Sequence, residues 1–211
     1  MIVLVGHQKG GVGKSTLTVN LAAELQARGQ DVCIVEADPT IHTVSNWAAD
    51  RVEAGLKPIT VVQKLGNIRS TLMDLDARYG IVLVDTAGKD SQELRSAMTA
   101  AHCLLAPMQP FQADVDSTQK LVETITTAQD FNPALKVGGV LNRVPTNVFS
   151  EEAEEARLFM QDWPQLPLVS TDLHERKVYR KALEGGRGVV EMRDPKAKAE
   201  IQLLLDEVLS W

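Results

Sequence analysis

The residues with the clearest chemistry lie between Gly6 and Thr16, which read GHQKGGVGKST. The apolar run Ile2–Val5 precedes them, and a helical pattern from Lys14 to Arg28 follows. A glycine-rich turn between a strand and a helix is an anion site. Consecutive backbone N–H groups and the positive end of the helix converge on one point. Gly10, Gly11 and Gly13 let the backbone close around phosphate oxygens without a clashing Cβ, with Val12 inside the same wrap. Lys14 is spaced to place its ammonium on the β and γ phosphates. Ser15 would give its hydroxyl to magnesium, and Thr16 would hold the α phosphate. Gln8 stands where the common loop has glycine, five residues before Gly13, and a second lysine, Lys9, sits inside the loop.

Two further segments carry carboxylates beside such a loop. Ile81–Gly88 reads IVLVDTAG, a branched apolar run that ends in Asp85. A carboxylate at the end of a buried strand is held rigidly, so Asp85 can organise the magnesium shell through water. Gly88 is placed to meet the γ phosphate with its N–H. Glu36–Thr40 reads EADPT after another apolar run. Taken alone, Asp38 followed by Pro39 is turn or helix-cap chemistry.

These segments need a scaffold, and the pattern around them supplies one. Strand-like runs occur at Ile2–Val5, Val32–Val35, Ile59–Val62, Ile81–Val84, Leu104–Ala106 and Val137–Leu141, with a short last one at Leu168–Val169. Helical patterns lie between them at His42–Glu53, Ile68–Arg78, Gln92–Ala101, Val115–Ala128 and Glu151–Gln161. Others come near Leu173–Glu184 and at Pro195–Leu209. Short continuous apolar strands alternating with helices predict an α/β domain: a doubly wound, mostly parallel sheet with helices on both faces. Ligands then bind beyond the carboxyl ends of the strands. Gly185–Gly188 breaks two helices rather than two domains.

The 211 residues suit one domain with a substantial core. Cys33 and Cys103 each lie in an apolar run, which predicts buried, reduced thiols, and no CxxC pair suggests zinc or iron–sulfur. No export signal or bilayer-spanning stretch is visible, so a cytoplasmic protein is expected. A net charge of −6 excludes a uniformly basic nucleic-acid binder but not a local basic patch.

The loop KGGVGKST resembles the deviant Walker A motif of the ParA/MinD ATPases, and the resemblance runs along essentially the whole chain. It implies a P-loop ATPase using ATP and Mg2+. Lys9 would reach across a homodimer to the partner's nucleotide, making ATP part of the interface. Asp38 matches the second aspartate of the family's D-x-D-P-Q segment, which orients the attacking water in a switch loop. Glu36 and Thr40 depart from that pattern. Lys9, Lys14 and Asp38 are thus the implied catalytic set. Asn142 and Arg143, at the end of VGGVLNRV, would lie near the adenine, with Asn142 the base contact.

Residues Leu173–Arg187, LHERKVYRKALEGGR, carry Arg176 and Arg180 one helical turn apart, likewise Lys177 and Lys181, with Arg187 beyond. From composition alone this is a solvated helix face. The section VYRKALEGGRGVVE resembles the C-terminal region of small ParF-like ParA proteins, which bind DNA non-specifically as ATP dimers and lack a separate N-terminal DNA-reading domain. One ATPase domain over 1–211 is therefore expected, nucleoid-associated in the ATP state. The implied partner is a ParB- or ParG-like centromere-binding adaptor, or a cargo adaptor. A MinD-like membrane-surface role is the alternative. The tail AEIQLLLDEVLSW is amphipathic, but Glu200, Asp206 and Glu207 would be repelled by anionic lipid, so no membrane partner is expected. A metabolic enzyme resembling dethiobiotin synthetase is a third reading, against which Lys9 argues. A relative of nitrogenase iron protein would need its cysteines at other motifs.

Overall fold

The computed structural model describes residues 1–110, 115–147 and 149–211. Its strands are β1 (Ile2–Val5), β2 (Val32–Ala37), β3 (Thr60–Gln63), β4 (Ile81–Thr86), β5 (Cys103–Met108), β6 (Lys136–Val144) and β7 (Leu173–His174). They form one sheet in the order β3-β2-β4-β1-β5-β6-β7, and the pairs between these strands are parallel. The helices are α1 (Lys14–Ala27), α2 (Thr43–Glu53), α3 (Arg69–Asp76), α4 (Gln92–Met98), α5 (Val115–Phe131), α6 (Glu152–Met160), α7 (Lys177–Glu184) and α8 (Pro195–Leu209).

Alternation along the central strands decides which helices cover which face. Val3, Val5, Ile34, Leu83 and Leu105 point to one side, where they meet Leu21 and Leu25 of α1, Trp47 of α2, and Ile201, Leu204 and Leu205 of α8. Ile2, Leu4, Val35, Val82, Val84 and Leu104 point to the other, against Leu72 of α3, Leu94 of α4, Ile125 of α5 and Met160 of α6. The doubly wound expectation holds. Cys33 and Cys103 are buried free thiols, and burial pushes them up to about 11 and about 12, which keeps them unreactive.

The C-terminal third departs from the sequence reading. Leu168 makes one isolated bridge to Gly139 rather than a strand with Val169. The last strand is Leu173–His174, inside the span read as helix. Arg143 explains the shift: its φ of 59° makes an irregularity between Asn142 and Val144, so β6 pairs Asn142 with Leu173 and Val144 with His174. Helix α7 consequently starts at Lys177, with Arg176 as its N-cap residue. The Gly185–Gly188 segment is docked through side chains. Trp47 Nε1 donates to the Arg187 carbonyl at 3.0 Å, Arg51 to the Gly186 carbonyl at 3.0 Å, and Asn20 Oδ1 accepts the Val189 N–H at 2.7 Å. Arg51 also forms a two-pronged pair with Glu191, at 2.8 and 2.9 Å.

The apolar face of α8 is buried, with Ile201, Leu204 and Val208 at 0% exposure. It is core, as the acidic residues around it suggested, and not a face open to lipid. Among the described residues, no helix is long and apolar enough to cross a membrane.

Candidate functional site

The carboxyl end of β1 lies between those of β4 and β5, so the chain leaves β1 into the crevice that this class of sheet offers a ligand. Gly6 to Gly13 fill that position, and Gly13, at φ 96°, is the N-cap of α1. A Cβ on Gly13 would lie 2.3 Å from Asn142 Nδ2, and one on Gly88 would lie 2.5 Å from Gly10 Cα. The loop therefore touches the ends of β6 and of the segment after β4 too closely for any side chain there. Lys14 is buried, and its ammonium donates to the Lys9 carbonyl at 3.0 Å. Burial pulls that ammonium below its ordinary value, against the opposing pull of Asp85 and Asp38.

Asp85 comes two residues after Leu83 on β4, so it points to the same face, toward α1. Ser15 on α1 meets it there, donating from Oγ to Oδ2 at 2.7 Å. Burial pushes the Asp85 carboxyl up to about 7; the Ser15 hydrogen bond and Lys14 act downward, while Glu36 and Asp38 act upward. The second oxygen, Oδ1, is buried without a hydrogen-bond partner among the described residues. An unpartnered oxygen on a buried carboxylate, beside a hydroxyl and a phosphate loop, fits the outer shell of a magnesium ion. Magnesium is held by few protein groups and completed by phosphate and water. Ser15 and Asp85 would hold it, and its charge would favour the carboxylate that burial disfavours. Among the described residues there is no cluster of three or more His, Cys, Asp or Glu that could hold a metal by itself.

Asp38 lies past β2, half-buried at the start of an otherwise exposed loop. Its Oδ1 accepts the Thr40 N–H at 2.9 Å, the Thr40 hydroxyl at 2.7 Å and the Ile41 N–H at 3.3 Å. Although burial acts upward, these bonds and the Lys14 charge hold its carboxyl below the ordinary range. The turn chemistry of Asp-Pro is thus real, and it coexists with the pull of the Lys14 charge. Glu36 lies across from Asp85 in the β2–β4 register. Its extra methylene carries the carboxylate to the start of α2, where Oε1 accepts the Val44 and Ser45 N–H groups at 2.8 and 3.3 Å and Oε2 accepts the Ser45 hydroxyl. From β2, Glu36 thus satisfies first-turn N–H groups of α2, whose N-cap residue is His42, a role that sequence reading did not assign.

Other ties to the loop were also missed. Gln109, one residue past β5, is 2% exposed and donates from Nε2 to the Gly11 carbonyl at 2.9 Å. The Gln8 amide donates to Thr124 Oγ1 at 2.7 Å, and His7 Nδ1 accepts the Lys9 N–H at 2.9 Å. A polar residue that closes a buried strand at its carboxyl end, as Gln109 closes CLLAPM, was the signal available. Asn142 donates to the Val12 carbonyl at 2.7 Å, so this amide is committed to the loop. Arg143 is exposed. Gly10, Gly11, Val12, Ser15 and Thr16 all belong to the loop or the first turn of α1, as read.

The basic stripe divides in two. Lys177, Arg180 and Lys181 are exposed on α7. Arg176 is not on that face. Its guanidinium donates to Glu200 at 2.7 Å, and Glu200 also takes His174 and Tyr179. That corrects the grouping of Arg176 with Arg180: the N-cap backbone, at φ −134° and ψ 138°, turns Arg176 toward α8. Arg187 is half-buried, with its carbonyl fixed by Trp47.

A family model described as the CobQ/CobB/MinD/ParA nucleotide binding domain matches residues 3–187. The maintenance of carboxysome distribution protein A of Halothiobacillus neapolitanus is 27% identical over 210 residues, covering 97% of this chain and 94% of that protein. Two solved structures share the fold. The cell division ATPase MinD of Pyrococcus furiosus has a TM-score of 0.75 at 20% identity, covering 99% of this chain and 98% of that one. The cobyrinic acid a,c-diamide synthase of Mycobacterium smegmatis, with a bound ATP analogue and magnesium, has a TM-score of 0.77 at 20% identity, covering 99% and 93%. The chain belongs to the CobQ/CobB/MinD/ParA family of nucleotide-binding proteins, and its two-lysine phosphate loop resembles that of the ParA and MinD branch.

Proposed function

We propose that this protein is an ATP-switched homodimer that binds DNA regardless of sequence and hydrolyses ATP to position DNA or protein cargo. The observation that carries the reading is the pair of lysines in one phosphate loop, Lys14 buried with its ammonium on the Lys9 carbonyl. One lysine suffices for phosphate binding within a subunit. A second cation in the same loop suits a nucleotide shared between two subunits, where it would offset phosphate charge that opposes association.

In hydrolysis, water attacks the γ phosphorus, the bond to the β–γ bridging oxygen breaks, and ADP and phosphate leave. Lys14 and the loop N–H groups hold the β and γ oxygens. Ser15 and Asp85 would hold magnesium, which would supply positive charge to offset the phosphates. Asp38, whose carboxyl feels the Lys14 charge, orients the water. Such transfer depends on positioning and electrostatics rather than a strong base, so slow intrinsic turnover is expected. A ParB- or ParG-like adaptor, or a cargo adaptor, would stimulate it and release the dimer from DNA. Lys177, Arg180 and Lys181 give each subunit an exposed cationic face suited to phosphate backbones, consistent with a nucleoid-associated ATP state. The near full-length likeness to a carboxysome distribution protein favours cargo positioning as one use of this engine.

A MinD-like membrane role is disfavoured because the apolar face of α8 is buried. An ATP-dependent amide or carboxyl transfer enzyme on the same scaffold is disfavoured by Lys9. Sedimentation with ADP, ATP and a non-hydrolysable analogue tests the proposal, with DNA gel shift and liposome flotation on the same samples. A dimer and a DNA shift with ATP or the analogue, but not with ADP, support it. A chain that stays monomeric with every nucleotide refutes it, and flotation with ATP supports the membrane reading instead.

A further inference from the structure

Gln109 and Asn142 stand one residue beyond the Met108–Leu141 pair on neighbouring strands β5 and β6. From there they reach consecutive residues of the phosphate loop, Gly11 and Val12, and each donates an amide N–H to the backbone carbonyl. A trans peptide is planar, with its carbonyl and N–H pointing in opposite directions. Holding the Gly11 carbonyl toward Gln109 therefore turns the Val12 N–H the other way. Holding the Val12 carbonyl toward Asn142 does the same for the Gly13 N–H. Gly11 and Gly13 both have positive φ, at 77° and 96°, the alternation with Val12 that lets successive N–H groups converge into an anion nest.

We propose that Gln109 and Asn142 form an amide clamp, acting as positioning residues that fix the two central peptide planes of the loop before nucleotide arrives. The inference rests on the phosphate-loop reading and adds to it. Gln109 becomes a determinant of phosphate affinity although it lies 98 residues from Gly11, just past β5. Asn142 acts on phosphate through Val12 rather than on the adenine. Burial explains why an amide is used at 109: with 2% of Gln109 exposed, its Nε2 has the loop carbonyl in place of water. A loop carbonyl left without that donor would be free to turn inward and oppose phosphate charge.

The test compares two ligands that share a triphosphate and differ in the base: ATP and inorganic tripolyphosphate, each with magnesium. Affinities are measured by calorimetry and by displacement of a fluorescent ADP analogue. The variants are Gln109→Met, which keeps the volume and loses the donor, Gln109→Glu, and Asn142→Ala. The clamp predicts that Gln109→Met and Asn142→Ala weaken both ligands by the same factor, roughly tenfold, as expected for one hydrogen bond on a preorganised loop. Gln109→Glu should weaken them further, because a carboxylate faces a carbonyl oxygen. If tripolyphosphate is too weak to read, ATP and GTP serve, with equal losses expected. Unchanged affinities in the Gln109 variants overturn the clamp. Loss of ATP affinity in Asn142→Ala with tripolyphosphate or GTP unchanged overturns it for Asn142 and restores the adenine contact. Failure of the unmodified chain to bind ATP refutes the phosphate-loop reading itself, a distinct outcome. Thermal melting of the nucleotide-free variants separates the clamp from general damage, since a merely structural role would lower the midpoint and leave the affinity of the folded fraction intact.

Discussion

If α7 is the DNA-binding face, replacing Lys177, Arg180 and Lys181 together by alanine should change the salt dependence of DNA affinity by a calculable amount. All three are exposed on one short helix, so each can neutralise about one phosphate. Each lost phosphate contact flattens the plot of log affinity against log salt by about 0.9. The triple variant should thus flatten the slope by about 2.7 per subunit, and by roughly 5 for a dimer with both faces on one duplex. Arg176→Ala is the informative companion. Its guanidinium is held by Glu200 beside His174 and Tyr179, so the slope should stay within error. Stability to urea should instead fall, by about 1–3 kcal/mol, as a half-buried charged acceptor loses its main donor. Fluorescence anisotropy with a fixed duplex, ATP-loaded protein and salt varied from roughly 50 to 200 mM reads the slopes. A control that removes Lys64, Lys120 and Lys136, exposed on β3's trailing loop, α5 and the start of β6, changes net charge equally without touching α7. If the control flattens the slope as much as the α7 triple, or if Arg176→Ala flattens it and the triple does not, the assignment of α7 is wrong.

Lys14→Ala should abolish nucleotide binding in calorimetry, whereas Lys9→Ala should retain it and lose the ATP-dependent dimer; an undiminished dimer in sedimentation would refute the cross-subunit role. Asp38→Ala should preserve the ATP dimer while turnover falls by roughly 10²-fold, the scale of a misplaced nucleophile, and normal turnover in a phosphate-release assay would count against that. Arg51→Ala should cost about 3 kcal/mol or more, because a buried guanidinium and its paired carboxylate are separated; a urea midpoint near the unmodified value would contradict the docking role of the 186–191 segment. The same pair sets an acid limit. Although burial alone would raise the Glu191 carboxyl, Arg51 and the Gly188 N–H hold it below its ordinary value of 4.5. A lowered folded value contributes stability that is present above that ordinary value and lost as pH falls through the folded one. Glu191→Gln should therefore flatten the decline in stability below about pH 4.5, and equal declines in the two proteins would remove Glu191 from the account.

The fold was legible wherever one residue pattern determined one outcome. Continuous runs such as Ile81–Val84 can be satisfied only between two covered faces, so the parallel sheet followed from the strands alone. Strand ends were less visible. Glu36, Ala37, Asp85 and Thr86 lie in the ladder although their side chains are polar or small, because backbone pairing continues where the apolar pattern stops. The C-terminal misreading has the same origin. Leu173 and His174 fit the helical pattern of α7, but a two-residue strand carries no periodicity, and the positive φ that sets its register belongs to Arg143, on another segment.

The phosphate loop was legible because glycine, lysine and hydroxyl spacings are local; the contacts that hold it are not. Gln109 reaches back 98 residues to Gly11, and Asn142 130 residues to Val12. No spacing rule links them, since only the winding of the sheet brings β5 beside β1 and β6 beside β5. An amide is also a weak signal by itself, as common in turns as in sites. Glu36 shows the opposite limit. Read as a departure from D-x-D-P-Q, it cast doubt on the switch. In place, its carboxylate accepts the backbone amides of Val44 and Ser45. The loop bearing Asp38 is thereby closed at its far end by the residue two positions before it. A substitution at a motif position can thus transfer a side chain from one task to a neighbouring one, and only the packing of α2 against β2 reveals which task it took.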